Sequence, residues 1–253
     1  MYKIFSISTF IFFLLFSPLL SACAKSEGGI ATRKVVILIH GFYRTKYSFL
    51  LFEKELEKEG YFVINETYPS DEKTIEENAL FLKKRVDSIL LGFPEGAELY
   101  FVTHSMGALV ARCYINTYHP KDAIRMVMIA PPNRGAVKAE YFKDFPLYDK
   151  ILGPSGIELA SGSDYISNLC GGAPEIEFGI IAGGKGDNEG YSTIIPGDDD
   201  GTVGVWSTYI PGAKDFLLLD YYHTFIIDRR EVIENAINFL NTGRFLLHTS
   251  PPQ

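Results

Sequence analysis

The chain has 253 residues, of which 47% are hydrophobic and 22% charged, with a formal net charge of −7. That is apolar mass for one substantial core and too little length for two ordinary domains with linkers. The acidic balance argues against nucleic acid as a partner and against a general electrostatic grip on anionic lipid.

The first element in chain order is a leader. Met1-Tyr-Lys3 is a short basic start, residues 4–20 are mostly apolar, and Leu20-Ser-Ala-Cys23 closes the run with small residues before a cysteine. The pattern resembles a bacterial lipoprotein signal, with cleavage before Cys23 and lipid on its thiol and its new amino terminus. The competing reading is a retained membrane span, which Ser6, Ser8, Thr9, Ser17 and Pro18 weaken. The expected organisation is therefore a signal at 1–22, a linker at 23–33, a main domain at 34–243 and a tail at 244–253. The expected location is the cell envelope, exported and held to the membrane through lipid on Cys23, at the outer membrane if there is one.

Apolar runs that read as strands then alternate with helical stretches. The strands are Val35–Ile39, Tyr61–Asn65, Leu99–Thr103, Arg125–Ile129, Ile176–Ala182 and Phe216–Leu219. Alternation of this kind predicts a mainly parallel sheet of about six strands with helices on both faces. Thr74 with Glu77 forms a capping box that opens a helix, whose apolar stripe (Ile75, Ala79, Leu82, Val86, Ile89 or Leu90) faces the core. Asp228 with Glu231 is expected to open the last helix and Gly243 to close it. Between 136 and 172 the alternation fails, and a segment rich in aromatics, glycine and proline is expected to form a small, partly helical cap.

The most informative string is Leu99-Tyr-Phe-Val-Thr-His-Ser-Met-Gly-Ala-Leu-Val-Ala-Arg112, a strand that turns sharply into a helix with Ser105 at the turn. Such a turn strains the serine backbone and leaves its hydroxyl exposed above the sheet. The elbow is usually Gly-x-Ser-x-Gly; here Thr103 stands in the first glycine's place. Upstream, Lys34–Ile39 runs into His40-Gly41-Phe42, and the backbone N–H of Phe42 and that of Met106 are expected to converge on one oxygen as an oxyanion hole. Downstream, Gly197-Asp-Asp-Asp-Gly-Thr-Val203 offers an acid in a turn and Tyr222-His223-Thr224 a histidine.

The chain resembles an α/β-hydrolase of the small bacterial lipase and esterase type. Five strings carry the resemblance: His40 to Arg44, Thr103 to Gly107, Pro131 to Gly135, Asp200 to Val203 and His223 to Phe225. The resemblance implies an α/β-hydrolase fold with Ser105 as nucleophile, His223 as general base and Asp200 as the acid that orients it. Spacing alone leaves Asp198, Asp199 and the more distant Asp187 as contenders for the acid. Asn133 and Arg134 would sit at the rim, either meeting substrate or satisfying the turn itself.

The remaining histidines read differently. His40 is expected to orient the oxyanion loop, His104 to point away from the pocket, and His119 and His248 to be solvated. Cys113 reads as a small buried thiol, so Cys113 and Cys170 are expected to stay unpaired. Three adjacent aspartates could attract calcium, but the spaced ligands of a known loop are missing, and a solvated turn contributing one acid is the preferred reading. No cofactor or metal is called for. The expected activity is hydrolysis of a small-molecule or lipid carboxylic ester through an acyl-Ser105 intermediate. An acyltransferase or amidase using the same three residues, or a catalytically silent lipoprotein binding module, are the alternatives.

Overall fold

The computed structural model describes residues 32–93, 96–144, 148–160 and 162–252. The expected signal at 1–22, Cys23 and the linker up to residue 31 lie outside these residues. Among the described residues no helix is long and apolar enough to cross a membrane.

Six strands form one parallel sheet: β1 (Arg33–Ile39), β2 (Phe62–Asn65), β3 (Ala97–His104), β4 (Ala123–Ile129), β5 (Glu177–Gly183) and β6 (Asp215–Leu219). All six expected segments are strands, and their order across the sheet is β2-β1-β3-β4-β5-β6. The helices are α1 (Leu50–Lys58), α2 (Ile75–Leu90), α3 (Gly107–Tyr118), α4 (Val137–Phe142), α5 (Tyr148–Leu159), α6 (Ser163–Asn168), α7 (Val205–Thr208) and α8 (Arg230–Thr242). The strands are continuous apolar runs because both faces are covered. On β1, Val35, Ile37 and Ile39 join a core with Ile75, Ala79 and Val86 of α2 and the apolar face of α3. Val36 and Leu38 point the other way, into a core with Phe52 and Leu56 of α1 and Val232, Ile233 and Phe239 of α8.

The order of the strands places a crevice. The chain leaves β1 toward β2 at the edge and returns on the other side of β1 as β3, so the loops after β1 and β3 diverge at their carboxyl ends. Parallel sheets bind ligands at such a switch point. Gly41 follows β1 and Ser105 follows β3.

The capping box of α2 forms as expected, with both the Thr74 hydroxyl and the Glu77 carboxylate accepting the reciprocal backbone N–H. Helix α8 starts later than expected, because Asp228 belongs to a 3-10 turn over Ile226–Asp228 and Arg229 is the N-cap. Glu231 instead accepts from the Tyr221 hydroxyl. Gly243 does end α8, in a left-handed conformation. Residues 244–249 dock on the domain. Phe245 is buried against Phe239, its N–H donates to Asp215, and Thr249 pairs with the backbone of Phe216 and Leu218 along β6.

The segment from 136 to 172 is helical over α4, α5 and α6, with α5 broken at Gly153. Its far end is fastened to α3 in three ways. The Arg112 guanidinium, fully buried, donates to the carbonyls of Ile166, Ser167, Leu169 and Gly172. Asn116 donates to the carbonyls of Cys170 and Ala173. Cys113 and Cys170 form a disulfide with Cα atoms 5.0 Å apart, which corrects the expectation of two free thiols. Burial of Cys113 accounts for a thiol on α3 but says nothing about the segment that returns to the same helix face.

The disulfide closes a loop with a sequence separation of 57, for which chain entropy gives about 4 kcal/mol of stabilisation. The double variant Cys113→Ala with Cys170→Ala is expected to melt roughly 10 °C below the oxidised wild type, measured by circular dichroism. Treating the wild type with reductant should produce the same drop, and leave the double variant unmoved.

Candidate active site

Ser105 sits at the carboxyl end of β3 with φ 54°, a left-handed conformation that a serine adopts only when its surroundings impose it. Two contacts impose it here. The Ser105 N–H donates to the Ile129 carbonyl of β4 at 2.9 Å, holding the turn to the sheet. Directly after it, α3 starts so close to the end of β1 that a Cβ on Gly107 would lie 2.3 Å from the Ile39 carbonyl oxygen and 2.6 Å from that of His40. Only glycine fits there. Thr103, in the place usual for a first glycine, is fully buried and tolerated because its hydroxyl donates to the Val127 carbonyl of β4 at 3.2 Å.

The structure brings Ser105, His223 and Asp200 together from three loops. The Ser105 hydroxyl donates to His223 Nε2 at 2.9 Å. His223 Nδ1 donates to Asp200 Oδ2 at 2.6 Å, and the His223 backbone N–H donates to the Asp200 carbonyl at 2.8 Å. The other carboxylate oxygen, Asp200 Oδ1, accepts from the N–H of Thr202 at 2.9 Å and of Val203 at 2.7 Å. Asp200 is 1% exposed, so its charge is held by donors rather than by water.

The neighbouring acids are committed elsewhere. Asp198 accepts from the N–H groups of Lys185 and Gly186, and Asp199, fully buried, from those of Ser192 and Gly201. Asp187 accepts from Glu189 and Gly190. Each carboxylate of the triple therefore fastens a different turn, and Asp200 is the one against His223. Among the described residues no cluster of His, Cys, Asp and Glu is arranged to hold a metal ion.

The loop after β1 approaches Ser105 closely, since a Cβ on Gly41 would be 3.1 Å from Ser105 Cβ. The backbone N–H groups of Phe42 and Met106 donate to no acceptor among the described residues. His40 fixes this loop from below. Its Nδ1 donates to the Gly41 carbonyl at 2.9 Å, its Nε2 accepts from the Tyr68 N–H at 3.3 Å, and its ring stacks on Tyr68. The Tyr68 hydroxyl donates to the His40 carbonyl at 2.7 Å. Burial lowers the His40 pKa to about 4, with the bond to Gly41 opposing the shift, so the ring is neutral at physiological pH.

His104 does not point away from the site, as expected from the elbow, but packs against it. Its ring centroid is 4.8 Å from that of His223, its Nε2 donates to the His223 carbonyl at 2.9 Å, and its Nδ1 is buried without a partner. Burial, and then the proximity of His223, push its proton affinity well below the ordinary histidine value. The sequence pattern held no signal for this contact, because it depends on where the loop after β6 returns. His119 and His248 are exposed, His119 beside Glu175.

Asn133 and Arg134 lie off the site. Asn133 is fully buried, accepting from Arg112 and donating to the Thr208 carbonyl, so it satisfies the interior behind the turn. Arg134 is exposed and stacks over Trp206.

A cavity of about 250 Å³ opens beside Ser105 and His223. Phe42 and Arg44 line it from the loop after β1, Lys138 and Ala139 from α4, and Leu152 and Leu159 from α5. A larger groove, about 600 Å³, lies between α1 and α8 and contains none of these groups.

No family model matches the sequence, and a comparison with curated proteins finds no significant match. Solved structures do match. The lipase BlEst2 of Bacillus licheniformis in its mature form aligns with a TM-score of 0.64 at 15% identity, over 85% of this chain and 94% of that one. An esterase of Pyrococcus furiosus aligns with a TM-score of 0.55 at 22% identity, over 83% of this chain and 82% of its own. Phospholipase PlaB of Legionella pneumophila aligns with a TM-score of 0.54 at 18% identity, over 71% of this chain but 45% of its own length. The chain has the α/β-hydrolase fold, in the form that lipases and esterases share.

Between pH 6.5 and about 4 an unfolded chain binds a proton at His40 that the folded chain refuses, so stability falls as pH is lowered through that window. The urea midpoint is expected to drop over this range, and His40→Gln to show a shallower drop. Equal slopes in the two proteins would remove His40 from the account.

Proposed function

We propose that the chain is a serine hydrolase that cleaves carboxylic esters, an esterase or lipase, through an acyl-Ser105 intermediate. The observation that carries this reading is the unbroken hydrogen-bonded line from Asp200 through His223 to the Ser105 hydroxyl, beside two N–H groups that have no acceptor among the described residues. A serine hydroxyl is a poor nucleophile near neutral pH, and an imidazole acceptor at 2.9 Å is what it needs.

In this reading Ser105 Oγ attacks the ester carbonyl carbon while its proton passes to His223 Nε2. Asp200 holds the ring in the Nδ1–H tautomer and stabilises the imidazolium. The carbonyl oxygen, now negative, is met by the N–H groups of Phe42 and Met106. Collapse of the tetrahedral intermediate breaks the bond to the alcohol, which leaves with the proton from Nε2. Water then attacks the acyl carbon and gives a proton to His223, and the second collapse returns that proton to Ser105 Oγ and releases the acid. The helices α4 and α5 act as a small cap, since their residues form one wall of the cavity. The leader ending at Cys23 supports export and anchoring to the membrane by lipid, with the ester substrate a small molecule or a lipid.

The test is labelling of the mature protein with a fluorophosphonate probe, beside hydrolysis of short- and long-chain p-nitrophenyl esters. Ser105→Ala is expected to lose all labelling, and Asp200→Asn to lower kcat by about 10⁴-fold by favouring the wrong imidazole tautomer. Absence of labelling in folded wild type would move the reading to a silent binding module.

A further inference from the structure

The cavity beside Ser105 carries the opposite charge to the chain around it. The protein has 31 acidic residues against 24 basic ones, yet the described residues lining this cavity include Arg44 and Lys138 and no Asp or Glu. The carboxylate nearest the reaction centre, Asp200, lies behind His223 with its oxygens committed to the ring and to two backbone N–H groups.

Arg44 enters from the loop that carries Phe42. The N–H of Arg44 donates to the Gly41 carbonyl at 3.2 Å, closing a tight turn with Tyr43 at φ 52°, so the residue is held within two positions of the free Phe42 N–H. The side chain is half-buried, and the guanidinium makes no ion pair and no hydrogen bond among the described residues. The other buried or half-buried arginines among the described residues are satisfied: Arg112 by carbonyls and Arg125 by Glu177. Lys138, also half-buried, comes from α4 across the cavity and gives its ammonium to the Gly201 carbonyl, which meets a hydrogen bond but does not neutralise the charge. The field of Arg44 reaches the site, since it contributes to holding His104 neutral.

A planar guanidinium fork and an ammonium lining one small cavity match the oxygens of a phosphate or a carboxylate. We propose that Arg44 and Lys138 form an anion subsite beside Ser105, selecting esters that bear a phosphate or carboxylate close to the scissile bond over neutral esters of the same chain length. The inference rests on the serine-hydrolase reading and names its substrate class. Catalysis gains where the anion pins the ester with its carbonyl oxygen toward the Phe42 and Met106 N–H groups, because fixing two points of a small substrate removes most of its rotational freedom.

The experiment compares kcat/KM for matched pairs in wild type, Arg44→Gln and Lys138→Gln. One pair is p-nitrophenyl hemiglutarate against p-nitrophenyl butyrate, which places the anion on the acyl side. The other is lysophosphatidic acid against the monoacylglycerol of the same chain, which places it on the alcohol side. The anionic-to-neutral ratio is expected to fall about tenfold or more in each variant for at least one pair, and to fall with added salt in wild type more than in the variants. Arg44→Lys, which keeps the charge without the fork, is expected to retain part of the ratio. Whichever pair responds identifies the side of the ester on which the anion sits. Neutral esters cleaved by wild type, with ratios unmoved by either substitution in both pairs, would overturn the subsite and leave the hydrolase reading standing. A folded wild type that cleaves none of the four esters and takes no fluorophosphonate label would overturn both.

Discussion

The approach of α3 to the carboxyl end of β1 is the constraint from which the site follows. With Gly107 against the Ile39 and His40 carbonyls, the chain has no room for a gradual exit from β3, and the bend falls on one residue, Ser105. A left-handed non-glycine residue costs on the order of 1–3 kcal/mol. That cost is met by packing: Met106, Ala108 and Leu109, which follow the serine, are fully buried, and Ser105 itself is tied to β4. At the same turn the loop after β1 lies against the serine, a Cβ on Gly41 falling 3.1 Å from Ser105 Cβ.

On the opposite side, the site depends on how three consecutive aspartates divide their hydrogen bonds. Asp198 and Asp199 bind backbone N–H groups of the loop from Lys185 to Ser192 and of Gly201, which fixes the turn in which Asp200 lies. Asp200 then has one oxygen for its own turn and one for His223. A run of like charges is ordinarily a solvated face. Here each carboxylate is instead bound by backbone N–H donors of a different turn.

The six strands were legible because a strand buried on both faces is a near-continuous apolar run. Ser105 stands in a strand-turn-helix string whose geometry is local, whereas Asp200 was picked out of its acidic run only by the resemblance, and the structure places it against His223. What the sequence left open involves segments that meet only after folding. The Cys113–Cys170 disulfide, the packing of His104 on His223 and the docking of Phe245 and Thr249 on the far edge of the sheet join residues 57, 119 and about 30 positions apart, respectively. The late start of α8 is different: Asp228 and Glu231 have the spacing of a capping box, but the 3-10 turn after His223 consumes Asp228 before the helix begins. Arg134 belongs to the Pro131–Gly135 string, and its stacking on Trp206 takes it away from Ser105.

Arg112 holds the far end of the segment from 136 to 172 against α3. Burying a guanidinium without a carboxylate is costly, and burial lowers its pKa to about 10, which still leaves it charged at neutral pH. Five oxygen acceptors offset that cost, four of them carbonyls of α6 and the turn after it. The arginine is thereby satisfied only while that part of the chain lies on α3, and the disulfide one residue further on holds it there. The part that lines the cavity makes contacts of its own, among them Glu158 accepting the Ile75 N–H, Ser155 donating to the Ser70 carbonyl, and Lys138 donating to the Gly201 carbonyl. One helix therefore serves two ends: its first residue, Gly107, forces the bend at Ser105, and its middle holds α6 and the turn after it against the domain.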